Sequence, residues 1–324
     1  MQQTATSVIL NAQHTRVERV DLAHPTLSGL CAWRVGNRVG EAPNWDARTQ
    51  TLLWIDVRAP AVLQLDPATD VITRWTLPEV VGAMGLAQPG TVVLALQRSL
   101  ALLVLDSGRL TTLCAVANEP VHNRLNDGKV SPSGRWFVFG SMDDRPTDKQ
   151  PTGALYCASA TGGPVRLLHE SLTVANGIAF SPDAGTIYFS DSQFGRVWRA
   201  PWDEDTGGMG RPEPLCAPDE LAGRPDGAAV DSSGTYWSAG VSAGVLNRFA
   251  ADGTLLERIA LPCRAPTMPC FGGPDARDVY VTSLVRPAWS LEPSSLDGAL
   301  FRFASPVTGL PGMGWAAATE GVRR

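Results

Sequence analysis

Ser181–Asp191 reads SPDAGTIYFSD, a turn of Pro, Asp and Gly that feeds a short run of β-branched and aromatic residues. A tight turn followed by such a run is the local grammar of a strand in an all-β repeat. The pattern recurs before this stretch in Asp46–Asp56 (DARTQTLLWID), Gln88–Gln97 (QPGTVVLALQ) and Ser131–Met142 (SPSGRWFVFGSM). It recurs after it in Asp231–Gly240 (DSSGTYWSAG) and Gly273–Ser283 (GPDARDVYVTS). The runs begin at Leu52, Val92, Trp136, Ile187, Thr235 and Val279, spaced by about 40 to 51 residues, the length of one propeller blade. The sequence therefore predicts an all-β chain, a six-bladed β-propeller around a central channel. It is read as one domain over residues 1–324, with 1–16 as a loose N-terminal extension. Strand-like patches at Val17–Val39 and Gly298–Pro306 predict that the two ends of the chain share the closing blade, which removes an exposed sheet edge.

Composition narrows the function classes. With 44% hydrophobic and 18% charged residues, 32 Gly and 25 Pro, the chain has a globular balance enriched in turn formers. A net charge of −5 without a basic stripe speaks against a nucleic-acid partner. There is no apolar run of membrane-spanning length, so no membrane partner is expected. The first residues lack the basic start and long apolar core of a secretory leader, and a cytoplasmic protein is expected, as a monomer or weak homodimer. Six scattered cysteines without CxxC spacing read as reduced, packed thiols; a Cys263–Cys270 bridge stays open. Trp45, Trp54, Trp136, Trp198 and Trp237 fall in or beside repeat strands and read as blade packing. Met142–Gly153 and Pro201–Pro214 read as loops, the first placed to overhang a central site.

The repeat register picks out an unusual set. Six residues before Pro132, Pro182 and Ser232 stand Asn126, Asn176 and Asp226, and the first repeat aligns Glu41 with them. The equivalent positions of the second and sixth repeats fall near Gly82–Ala83 and Met268. Four of six blades thus carry an oxygen-bearing side chain at one level, just before the strand expected to line the channel. Asn176–Gly177 and Asp226–Gly227 are also turn dipeptides, but a turn explains neither the shared register nor Glu41. Glu41, Asn176 and Asp226 would offer a hard divalent cation two carboxylates and one amide oxygen, with positions left for water or substrate. Arg124, two residues before Asn126, lies on the same side of an extended strand and could hold a substrate oxygen. Arg224 stands in the same relation to Asp226, as a substrate contact or as a counter-charge. Asp127 is expected to buttress the turn and Lys129 is a further inner polar candidate; His122 is read as surface loop. No zinc-type HExxH, nucleophile elbow or phosphate loop is present.

GEAPNWD with LLWIDV, NRLNDGKVSPSGRWFVFGSM, NGIAFSPDAGTIYFSDS, RPDGAAVD and CFGGPDARDVYVTS together resemble the gluconolactonase/regucalcin-like family, also called senescence marker protein, from about Gly40 to Pro306. The resemblance implies a six-bladed propeller with one divalent metal ion in the channel and hydrolysis of a sugar lactone, with Glu41, Asn176 and Asp226 as metal ligands and Arg124 and Asn126 as substrate contacts. The ion could be calcium, manganese, magnesium, zinc or ferrous iron. Asp226 is the expected general base, and the small-molecule partner an aldonolactone such as glucono-, xylono-, arabinono- or galactonolactone. Where family members often carry an acidic substrate contact this chain reads SMDDRPTDK, so Asp143, Asp144 or Arg145 would substitute. Alternatives are a non-catalytic calcium-binding regulator, a hydrolase of other esters at the same site, or an interaction scaffold.

Overall fold

The computed structural model describes residues 6–292, 294–310, 312 and 314–316. These residues form strands and no helix, so none of them makes a helix able to cross a membrane. The strands fall into six antiparallel sheets. Blade I contains, from the axis outward, Gly40–Asp46, Thr51–Asp56, Ala61–Asp66 and Val71–Thr76. Blades II to V repeat this plan, beginning at the axis with Val81–Leu86, Asn123–Val130, Ala175–Phe180 and Pro225–Val230. Blade VI begins with Pro266–Gly272, Asp278–Ser283 and Leu300–Ala304, and is completed by Cys31–Trp33 and Arg19–Asp21 from the N-terminal side. The ring therefore closes with an N-terminal and a C-terminal segment sharing one blade, as expected for Val17–Val39 and Gly298–Pro306.

Each blade is apolar on both faces because it is packed on both sides. Thr91–Leu96 is buried at every residue, which is why its sequence is a continuous apolar run rather than an alternating one. The six hydrophobic clusters each sit between two neighbouring blades. Trp54 and Trp237 are fully buried, and Trp45 stacks on Tyr280 with ring centroids 5.4 Å apart. The tryptophans thus serve blade packing.

Three features differ from the sequence expectation. The repeated apolar runs are the second strand of each blade, and the strand that lines the channel is the one before it. Residues 7–16, expected to be loose, are paired. Ala12–Arg16 adds a fifth strand to the outer edge of blade I, and Ser7–Ile9 does the same for blade II. Every residue of both segments is exposed, so no apolar periodicity marked them; main-chain ladders hold them there, joined by the Ser7–Thr111 and His14–Thr73 side-chain bonds. Pro201–Pro214 is not all loop: the strand Arg196–Asp203 runs into it, turns back at Gly208–Met209, and is followed by Glu213–Cys216. All six cysteines are free thiols, Cys263 and Cys270 included.

Candidate metal-binding active site

Each innermost strand enters from the same face of the ring and is irregular within its first residues. In blades I, III, IV and V the ladder shifts register at Glu41/Asn44, Asn126/Gly128, Asn176/Ala179 and Pro225/Ala228. A bulge re-aims the side chain at its start. Ala42, Asp127 and Gly177, each following a candidate residue, have φ of 49°, 44° and 64°, the left-handed conformation that accompanies three of these four bulges. The NG and DG pairs are therefore strand bulges, not turns. The two other blades are shaped by packing: a Cβ on Gly82 would meet the Leu125 carbonyl oxygen at 1.8 Å, so blade II approaches blade III too closely to carry a side chain there. In blade VI, Met268 packs onto Gly227, and Thr267 ties back to blade I through the Gly40 carbonyl at 2.5 Å.

Glu41, Asn126, Asn176 and Asp226 are thus brought to one level at the mouth of the channel, all buried at 3% to 8% exposure. Asn176 donates from Nδ2 to Ser192 Oγ at 2.8 Å, while its Oδ1 accepts from Asn126 Nδ2 at 3.1 Å. That network turns the Asn176 amide oxygen, not its nitrogen, inward. Asn126 also donates to the Ala175 carbonyl at 2.8 Å and accepts Arg124 Nη1 at 2.7 Å. Both its N–H groups are committed, so it offers a substrate one remaining lone pair and otherwise positions Asn176. Arg124 is fixed by Leu125 O and by Asp144, whose Oδ1 accepts Nε at 3.0 Å; Nη2 is not used in these bonds.

Asp144 lies in the loop expected to overhang the site. It accepts Arg124 and, from across the mouth, Arg58 of blade I, whose Nη1 is 3.0 Å away. Burial opposes ionisation of Asp144, and the Arg124 and Arg58 guanidiniums override it, holding the carboxyl below its ordinary value. Asp143 and Arg145 pair with each other instead, and Asp143 also accepts the Gln150 amide at 2.7 Å. Of the three candidates in this loop, Asp144 alone turns toward the site. Arg58, Ser192 and the bulge geometry were not foreseen: Arg58 and Ser192 reach the site through folding, with no motif of their own.

Asp127 buttresses the bulge, as expected, accepting the Gly128 and Ile178 amides at 2.6 and 2.9 Å. It thereby ties blade III to blade IV beside Asn126 and Asn176. Lys129 points elsewhere. It lines an axial cavity of about 240 Å³ toward the far end of the channel, with Trp45, Phe180, Cys270 and Phe271. His122 is exposed, and only its carbonyl is engaged, by the Asp144 amide.

The two carboxylates carry the chemical meaning. Glu41 is pushed well up by burial and then by the charges of Asp226 and Asp127, and accepts one hydrogen bond, from the Ala42 amide. Asp226 is pushed up to about 7 by burial and then by Asp127. Neither makes an ion pair among the described residues. Two buried carboxylates without a bonded cation, facing an oriented amide oxygen, fit a hard divalent ion. No group of three or more His, Cys, Asp or Glu among the described residues is arranged to hold a metal ion by itself, and here the third donor is an amide.

Residues 39–285 match the SMP-30/gluconolactonase/LRE-like region. A 6-deoxy-6-sulfogluconolactonase of Pseudomonas putida is 37% identical, over 78% of this chain and 86% of its own length. A pentonolactonase of Haloferax volcanii is 31% identical over 85% of this chain and 93% of its own. Among solved structures, a calcium-binding protein, regucalcin, from Agrobacterium tumefaciens superposes with a TM-score of 0.79 at 27% identity, covering 87% of this chain and 95% of that one.

Proposed function

Since the chain belongs to the SMP-30/gluconolactonase/LRE-like family, we propose that it opens a sugar lactone by hydrolysis, with one divalent ion held by Glu41, Asn176 and Asp226. The observation that carries this reading is the pair of buried carboxylates that make no ion pair among the described residues, beside a fixed guanidinium with an uncommitted amino group. When bound, such an ion supplies charge relief for the carboxylates and polarisation of an ester carbonyl. Calcium, manganese, magnesium, zinc and ferrous iron all suit oxygen donors to some degree.

The chain's own groups do the rest. A lactone is a cyclic ester, so hydrolysis adds water to the carbonyl carbon, breaks the ring C–O bond, and leaves a hydroxyl and a carboxylic acid. Asp226 takes the proton of the attacking water. The proton then passes to the ring oxygen as the C–O bond breaks. Arg124 holds a ring or hydroxyl oxygen through Nη2, and Asp144 and Asn126 keep the guanidinium in place, so binding is prepaid by preorganisation. Asn126 also keeps the Asn176 oxygen facing inward.

Acid release from aldonolactones, followed with a pH indicator, tests the reading. Wild type should exceed the spontaneous rate. Asp226→Asn should lower kcat by about a hundredfold or more, while Arg124→Gln should mainly raise KM, by about tenfold. Full activity in Asp226→Asn would overturn the assignment. A calcium-binding regulator without catalysis is the second reading, favoured by the calcium-binding structural relative; it predicts ion uptake without acid release.

A further inference from the structure

The bulge that turns Asn176 inward frees two backbone groups, and the neighbouring blades take one each. In the ladder Asn176 faces Ser190, and the next registered pair is Ala179 with Tyr188, so Gly177 and Ile178 together oppose Phe189. Buried backbone groups released from a ladder need other partners. The Ile178 amide donates to Asp127 Oδ2 of blade III at 2.9 Å. On the other side, the Gly177 carbonyl accepts the Tyr236 hydroxyl of blade V at 2.8 Å. In blade I the corresponding carbonyl, that of Ala42, is held within its own strand by Asn44 Nδ2 at 2.9 Å. The blade IV bulge leans on its neighbours instead.

Tyr236 is fully buried at the start of the second strand of blade V, Tyr236–Gly240, where it pairs with Val230 of the strand that carries Asp226. Its ring packs on Tyr188 of blade IV with centroids 5.2 Å apart, which limits where the hydroxyl can reach. The contact has no slack. A Cβ on Gly177 would strike the Tyr236 hydroxyl and come within 2.7 Å of Ser190 Oγ and 3.3 Å of the Asp226 carbonyl oxygen. The backbone that follows Asn176 therefore lies against the backbone of Asp226, and the Tyr236 hydroxyl bonds the two blades at that point.

We propose that Tyr236 is a positioning residue for the ion site: through the Gly177 carbonyl, its hydroxyl sets the spacing between the Asn176 amide oxygen and the Asp226 carboxylate, and with it the affinity for a divalent ion. This rests on the reading of Glu41, Asn176 and Asp226 as ion ligands, but not on the lactone chemistry. A group that touches no ligand oxygen acts in this way by holding the ligands where the ion needs them. The Asn176 side chain is oriented by Ser192 and Asn126, and the backbone beside it by Asp127 and Tyr236.

Tyr236→Phe removes one oxygen and keeps the ring on Tyr188, so it isolates the hydrogen bond. Calorimetric titration of calcium, and separately of manganese, into chelator-treated protein reads the site without turnover. Wild type should take up one ion, and Tyr236→Phe should bind it about tenfold or more weakly. Tyr188→Phe removes a hydroxyl from the partner ring and should bind as wild type does. Saturating ion should restore acid release by Tyr236→Phe to near the wild-type rate. Wild-type affinity in Tyr236→Phe, even with a lowered melting temperature, would overturn the proposal and leave Tyr236 a packing residue. Equal weakening in both tyrosine variants would overturn it in favour of a general loosening between blades. Weaker ion binding in Tyr236→Phe alone, with no lactone opened by any of the proteins, supports the positioning role while the lactonase reading fails. Wild type that takes up neither ion would overturn the ligand reading and this proposal with it.

Discussion

At Asp226 the fold sets an electrostatic cost against a use. The carboxyl is pushed up to about 7, whereas an unfolded Asp titrates near 4, as a rough reference. Between those values the native chain keeps a proton that the unfolded chain has released, so the stability of ion-free protein falls as pH rises through that window. Asp226→Asn removes the cost. In chelator-treated protein at about pH 7.5 the variant should melt a few degrees above wild type, and the gap should close toward about pH 4. Melting curves across that range check it, and a variant less stable at every pH would contradict it. On the proposed function, this would be stability exchanged for catalysis at a site. Glu41, Asn176 and Asp226 were legible because each stands at the same offset from a repeated turn. Arg58 and Ser192 were not, because isolated residues in loops take their meaning from what the folded ring brings beside them.

The innermost strand is the element that positions the site, and its bulge was misread as a turn for a physical reason. Asn-Gly and Asp-Gly are common where turns require a positive φ, and the bulge at Asn176–Gly177 adopts that conformation too, whereas Gly227 after Asp226 does not. Only the ladder registers on either side of Asn176 and Asp226 distinguish the two. The missing polar residue in blade II has an equally local cause at Gly82. Because the Leu125 carbonyl blocks any Cβ there, Gly82→Ala must push blade II away from blade III. A loss of about 3 kcal/mol is expected, seen as a lower denaturation midpoint, and turnover should fall with it because Leu125 neighbours Asn126. A neutral Gly82→Ala would show that the two strands pack less closely than described. The apolar runs were read correctly as strands and placed one position too near the axis. Both the first and second strands of a blade are buried on both faces, so burial alone does not order them.

On the scale of the whole molecule, the ring is closed twice. Cys31–Trp33 completes blade VI, and the preceding chain then runs over the outer edges of blades I and II. Outer edges are where a propeller exposes unpaired backbone, and an open edge invites pairing between molecules. Removing residues 1–16 should therefore lower the melting temperature by several degrees and promote concentration-dependent association, measurable by sedimentation. Because the site lies on the axis, turnover in the cold should persist. Loss of activity with an unchanged melting temperature would contradict this division of labour. Closure at blade VI was legible from strand-like patches near both ends; the outer strap was not, since its exposed side chains carry no pattern.

The most direct test of metal-assisted lactone opening is acid release by chelator-stripped protein to which single divalent ions are returned, alongside direct measurement of ion uptake. One ion bound per chain, restoring hydrolysis well above the spontaneous rate and failing to do so in Asp226→Asn, is the expected result. Hydrolysis that persists undiminished without any ion, or an ion bound with no lactone opened, would contradict it.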